Sequence, residues 1–250
     1  MQLSMKEHLS PNSGPRRAVD GSIDVRHVVV HYTGMTSCQK ALDRLCDPKA
    51  EVSAHYMVDE DGTVFRLVPE DLRAWHAGVC FWHGQRDINS TSIGIEIVNP
   101  GHEYGYRAFP KAQIDAFTAL TSDVMDRHGI KACNVLGHSD VAPGRKTDPG
   151  ELFPWQDLAA HGIGLWPEET VTLAGHADMM GALRRLSEIG YAVPMTPDLG
   201  SDILHPESRV TDVVAAFQGR YRQSKVDGIL DGETAARIAA VAVRFAAARA

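Results

Sequence analysis

The apolar pattern changes character about two thirds of the way along the chain. Before residue 162 it comes in short β-branched runs and isolated helical stripes. After residue 175 the chain is Ala- and Arg-rich and reads as helical. Val25 to Tyr32 holds Val28, Val29 and Val30 in succession and predicts a strand. Ser92 to Val98 predicts a second strand, with Ile93, Ile95 and Ile97 on one face and Ser92, Gly94 and Glu96 on the other. Ser53–Val58 and Thr63–Val68 form an expected hairpin, joined at Asp59-Glu60-Asp61-Gly62. Asn134–Leu136 is a further short strand. Thr36 or Ser37 is placed to cap a helix that runs to about Cys46 and ends before Pro48. Pro110 opens a longer helix, with Ile114, Phe117, Leu120, Val124 and Met125 as apolar positions and Gly129 at its end. A last helix near Trp155–Ala160 closes this part. Residues 10–22, rich in Pro, Gly, Ser and Arg, read as an extended arm, and residues 74–91 as a loop. The irregular alternation predicts an α/β fold, a mixed β-sheet flanked by helices.

Gly, Pro and two Glu in residues 162–175 separate this unit from the next. Three helices are expected there: about Ala177–Ile189, about Arg209–Tyr221, and one that starts after Asp231-Gly232. The expected division is 1–167 for a first domain, including the arm, and 176–250 for a small three-helix domain.

Composition narrows the possibilities. A chain of 250 residues can bury a core without disulfides. None of the four cysteines forms a CxxC pair, and Cys38, Cys46 and Cys133 sit beside apolar residues, as buried free thiols would. A net charge of −7 argues against a nucleic-acid binder. The first residues lack an apolar signal segment and no stretch reaches the length of a membrane span, so the expected location is cytoplasmic, with the periplasm or cell wall as the alternative, and without membrane association.

His31 ends the first strand, His138 follows the short third strand, and Asp148 lies ten residues beyond it. Two imidazoles and a carboxylate suit zinc and leave its fourth position open to water. Taken singly, each has a plainer reading: the chain has twelve histidines, and Asp148 before Pro149 is an ordinary turn former. Glu96 is more informative, because a carboxylate in so apolar a strand is costly to bury without a partner. Gly94 beside it leaves room for a ligand on that face. Beside a metal-bound water, Glu96 would be a proton acceptor. Lys146, two residues before Asp148, would be near enough to steady an oxyanion.

Six segments in order resemble the zinc amidase family of bacterial and phage cell-wall hydrolases, related to the peptidoglycan-recognition proteins. They are Val28-Val29-Val30-His31-Tyr32-Thr33, Val52-Ser53-Ala54-His55-Tyr56, Ala74-Trp75-His76-Ala77-Gly78, Asn89 to Asn99, Gly137-His138-Ser139-Asp140, and Pro143 to Gly150. Within that family the chain is similar to the AmpD/AmiD branch. The resemblance implies one zinc held by His31, His138 and Asp148, with Glu96 as the catalytic carboxylate and Lys146 assisting. It implies that Trp75, His76, Ala77, Gly78 and Asn89 line a substrate groove, and that His55 is structural. The implied activity is that of an N-acetylmuramoyl-L-alanine amidase acting on peptidoglycan or muropeptides. The runner-up is a non-catalytic peptidoglycan sensor on the same fold. The last third resembles a small helical peptidoglycan-binding domain, through Leu183-Arg184-Arg185-Leu186, Gly190-Tyr191, Ala216-Phe217-Gln218 and Asp227 to Thr234. Every expected catalytic residue precedes Pro167, so a chain cut there is expected to keep its site.

Overall fold

The structure is a computed structural model and describes residues 4–18, 21, 23–167, 178–193 and 209–250. The expected linker beyond residue 167 and residues 194–208 lie outside the described residues. The strands are β1 (Met5–Glu7), β2 (Ser13–Pro15), β3 (His27–Tyr32), β4 (Tyr56–Val58), β5 (Val64–Arg66), β6 (Leu72–Ala74), β7 (Ser92–Ile97) and β8 (Val135–Gly137). The helices are α1 (Cys38–Cys46), α2 (Ile88–Thr91), α3 (Gly101–Tyr104), α4 (Lys111–His128), α5 (His138–Val141), α6 (Trp155–Ala160), α7 (Met179–Ile189), α8 (Val210–Tyr221) and α9 (Gly232–Arg249).

Six strands form one mixed sheet in the order β1-β5-β4-β7-β3-β8. β4, β7, β3 and β8 run parallel, while β5 returns antiparallel to β4. The β-branched run of β3 suits its place, since a strand inside a parallel sheet is covered on both faces. Ser37 caps α1 by accepting from the Lys40 N–H. Gly129 ends α4 in a left-handed conformation, φ 65°, which a side chain would strain.

Three expectations change. The N-terminal arm is not free: β1 extends the sheet edge beside β5, and β2 pairs with β6. Arg16 is buried beyond it and donates to the carbonyls of Glu70, Ser90 and Ser92. Backbone pairing by a Pro- and Gly-rich segment leaves no apolar alternation to read. Likewise the expected loop 74–91 contains the end of β6 and the single turn α2, both too short to show a period. Among the cysteines, Cys80 and Cys133 are buried but Cys38 and Cys46 only half-buried.

The two sheet faces are covered differently. Val28, Val30, Ile93, Ile95 and Ile97 pack against α4 and α6 through Phe117, Leu120, Val124, Trp155 and Leu158. On the opposite face two separate clusters form. Met57, Leu67 and Val98 meet Ala41, Leu42 and Leu45 of α1. Val29 and Leu136 join Trp82 and the apolar sides of α7, α8 and α9 in one continuous core. The C-terminal helices thus share a core with the sheet. Alternation along β3 puts His31 on the face of Val29, in line with the space between these clusters. Among the described residues no helix is long and apolar enough to cross a membrane.

Candidate metal centre and catalytic cavity

Parallel strands carry their functional groups at their carboxyl ends. His31 is the next-to-last residue of β3, and Glu96 is its register neighbour on β7. His138 follows β8 as the first residue of α5. Asp148 returns to this point because Ser139 N–H donates to its carbonyl oxygen at 2.9 Å. His31 Nδ1, His138 Nδ1 and Asp148 Oδ2 stand 2.9, 3.1 and 3.0 Å apart, and all three residues are buried.

Hydrogen bonds behind the ligands fix their tautomers. The Ile88 carbonyl can only accept, so the Ser92 hydroxyl donates to it at 2.6 Å. Ser92 Oγ then accepts from His76 Nε2–H at 3.1 Å. His76 Nδ1 is left with a lone pair, which accepts from His31 Nε2–H at 3.0 Å. His31 Nδ1 therefore carries no proton. Burial also keeps these rings neutral: it lowers the pKa of His31 to about 4, helped by His138, and that of His76 well below its usual value. On the other side the Ala77 carbonyl, which can only accept, lies 3.1 Å from His138 Nε2, nearer than the Arg145 guanidinium at 3.3 Å, and favours the tautomer that leaves Nδ1 free. Two imidazole lone pairs and a carboxylate oxygen thus face one another at about 3 Å. Such a group repels itself unless a cation sits among its atoms. The spacing is close to the roughly 3.3 Å between ligands about 2.0–2.1 Å from a tetrahedral metal. The residues fit a metal ion, and each ring has the outer hydrogen bond that metal-binding histidines need.

A cavity of ≈360 Å³ opens over this group, and Tyr32, Trp75, Glu96 and Lys146 line it. Glu96 Oε2 is buried without a hydrogen-bond partner. Burial, with Asp148 nearby, pushes its carboxyl well above the usual range, against the pull of Lys146. Lys146 is exposed at the cavity rim.

The remaining expected residues divide. Trp75 and His76 line the cavity, but His76 is buried and serves His31 from behind. Its ring also fills the space left by Gly94: a Cβ there would lie 2.5 Å from the ring, so the gap admits this histidine rather than a ligand. Asn89 and Ala77 do not line the cavity. The Asn89 amide oxygen accepts from the N–H groups of His76 and Ala77, at 3.1 and 2.8 Å, and shapes the loop from within. Gly78 is exposed beside the Arg145 guanidinium. Arg145 was not singled out by pattern, yet it donates to the carbonyls of Ala77 and Val79 and closes the loop over His138. Only its place between Gly144 and Lys146 could have drawn notice. His55 is no part of the ligand group: its Nδ1 accepts from Gly94 N–H and its Nε2 donates to the Leu72 carbonyl.

Residues 21–151 match the family model described as N-acetylmuramoyl-L-alanine amidase. The N-acetylmuramoyl-L-alanine amidase AmiD of Escherichia coli is 38% identical over 232 residues, which cover 85% of this chain and 80% of that one. The chain belongs to the N-acetylmuramoyl-L-alanine amidase family. Two solved structures of amidase relatives agree with this fold along nearly the whole chain. A complex of E. coli AmiD with anhydro-N-acetylmuramic acid-L-Ala-D-γ-Glu-L-Lys superposes with a TM-score of 0.76 at 35% identity, covering 92% of this chain and 93% of that one. AmpDh3 of Pseudomonas aeruginosa, in complex with anhydromuramic pentapeptide, superposes with a TM-score of 0.74 at 32% identity, covering 90% and 94%.

Proposed function

We propose that the protein is a zinc-dependent amidase. It hydrolyses the amide bond between the lactyl group of N-acetylmuramic acid, or its anhydro form, and the L-alanine of the peptide. The observation that carries this reading is the convergence of two unprotonated imidazole nitrogens and one carboxylate oxygen beside an unpartnered glutamate, in a cavity open to solvent. His31, His138 and Asp148 would hold the metal. Zinc in such a site acts as a Lewis acid and lowers the pKa of water at its open position.

Glu96, with Oε2 unpartnered at the cavity, is placed to accept the proton of the attacking water, and burial makes its carboxylate a stronger base. Water oxygen bonds to the lactyl carbonyl carbon. The C–N bond then breaks, and Glu96 passes the proton to the departing amine of L-alanine. Lys146 faces the charge that grows on the carbonyl oxygen. The products are a free lactyl carboxylate and a peptide with a free amino terminus. A sensor without catalysis has no use for an unpartnered carboxylate beside a complete ligand group.

A second cleft of ≈260 Å³ lies between the 139–151 loop and α8, and shares Lys146 and Thr147 with the first. The C-terminal helices thus border a cleft beside the catalytic cavity.

The test is elemental analysis after extensive dialysis, together with mass spectrometry of products from sacculi and from soluble muropeptides. Near one zinc per chain and release of peptides with free L-alanine amino termini are expected. A folded protein without zinc, or products cut elsewhere, would overturn the reading.

A further inference from the structure

Asp140 sits two residues beyond the ligand His138 and is completely buried. Its Oδ2 accepts from the Gly137 N–H at 2.8 Å, which ties down the turn from β8 into α5, where His138 begins. The carboxylate is held in turn from the C-terminal helices. Arg220 of α8 donates through Nη1 to Asp140 Oδ2 at 2.6 Å and through Nη2 to the Val135 carbonyl at 3.0 Å. The Tyr191 hydroxyl, just after α7, donates to Asp140 Oδ1 at 2.5 Å. Both carboxylate oxygens are thus taken, and Arg220 spans β8 and α5 at once. Its guanidinium lies 4.1 Å over the Trp155 ring, and Arg220 and Tyr191 are themselves buried.

We infer that Arg220 and Tyr191 are positioning residues of the metal centre: through Asp140 they set the place of His138, so the C-terminal helices complete the site. The inference rests on the zinc reading above. A buried carboxylate without its cation is strongly unfavourable, so Asp140 would turn toward water if Arg220 were lost. The Gly137–His138 turn would move with it. His138 Nδ1 holds its place at 2.9 and 3.0 Å from the other two ligand atoms only while that turn is fixed. The Gly137 N–H and the Tyr191 hydroxyl would remain, but neither carries a positive charge.

The experiment measures zinc affinity by chelator competition on metal-free, reloaded protein, with folding followed by circular dichroism. Arg220→Met is expected to weaken zinc binding by about 10–100-fold, as loss of outer support for a ligand does. Tyr191→Phe, which removes one hydroxyl, should weaken it less. Arg220→Lys should recover part of the loss, because an ammonium holds Asp140 but cannot also reach Val135. Ile238→Ala is the control: it opens the same apolar core without touching these hydrogen bonds, and should lower stability with zinc affinity unchanged. Wild-type affinity in both Arg220→Met and Tyr191→Phe would overturn the inference, as would an equal loss in Ile238→Ala. If Arg220→Met does not fold, Tyr191→Phe decides. If the unaltered protein binds no zinc, the metal reading itself falls and takes this inference with it.

Discussion

The carboxyl ends of the strands and the C-terminal helices are both buried, but with different side chains. Around β3, β7 and β8 the interior holds His31, His55, His76, His138, Asp148, Asn89 and Ser92. The helices bury Leu183, Leu186, Ile189, Val213, Val214, Phe217, Ile238, Val241 and Phe245. Their few buried polar groups are mostly satisfied nearby. Gln218 closes on the backbone of Asp227, Gly228 and Ile229, and Arg222 pairs with Asp231 and Glu233. Locally satisfied polar groups build a scaffold. At the strand ends, lone pairs are turned toward one another beside the unpartnered Glu96 Oε2, all facing one cavity, and that convergence marks a site. Arg220 breaks the rule for the helices, because it is the buried charge of α8 that reaches across to the ligand segment.

The largest effect is expected from removing one side of this comparison. A chain cut after Pro167 keeps every ligand but leaves Val29, Trp82, Leu136 and Val141 without the helices that cover them. Each large apolar side chain is worth about 1.5–3 kcal/mol when fully buried. Four of them approach the whole stability of an ordinary domain, about 5–15 kcal/mol. Asp140 also loses both side-chain donors. The cut chain should therefore fail to fold cooperatively, contrary to what the position of the catalytic residues alone suggests. A cut chain that melts cooperatively and binds zinc as the full chain does would make the helices a separate module.

The next effect isolates the chemistry. Glu96→Gln removes the proton acceptor from the cavity and leaves the ligand atoms in place. It should lower kcat by about 10²–10⁴ while zinc content and melting temperature stay close to those of the parent. Near-parental kcat would remove Glu96 from the proton path.

Much of this was legible in the sequence, for a physical reason. The valines of β3 and the isoleucines of β7 are local signals, and their alternation already put Glu96 on the face opposite the apolar one. His31 and His138 are visible because strand ends are read from the same patterns. Other features depend on contacts between distant segments. That His76, besides lining the cavity, supports His31 from behind follows only from the Ile88-Ser92-His76 chain of hydrogen bonds. That Gly94 makes room for that ring needed the packing of a loop against β7. The pairing of Arg220 with Asp140 joins segments eighty residues apart. β1 and β2 are edge pairings of three residues, too short for a period.

The smallest expected effect is a difference in acid response between the two regions. Burial lowers the pKa of His27 to about 4 and of His55 to about 3, and neither is a proposed ligand. In the unfolded chain both titrate near 6.5. Their folded pKa values are depressed, so the unfolded state takes up protons first as pH falls. The stability they contribute is full above about pH 6.5 and is lost as pH falls toward 4 and 3. One pKa unit is about 1.4 kcal/mol, so each contributes on the order of a few kcal/mol over that window. The described C-terminal helices contain no histidine and have no such term. His55→Gln, which keeps a donor and an acceptor but does not titrate, should flatten the fall in stability between pH 6.5 and 4. Leu186→Ala, in the helical core, should cost about 2–5 kcal/mol and leave the steepness of that fall as it is. Urea melts of metal-free protein at several pH values measure both, free of any loss of zinc in acid. An unchanged pH slope in His55→Gln would show that the acid response does not come from His55.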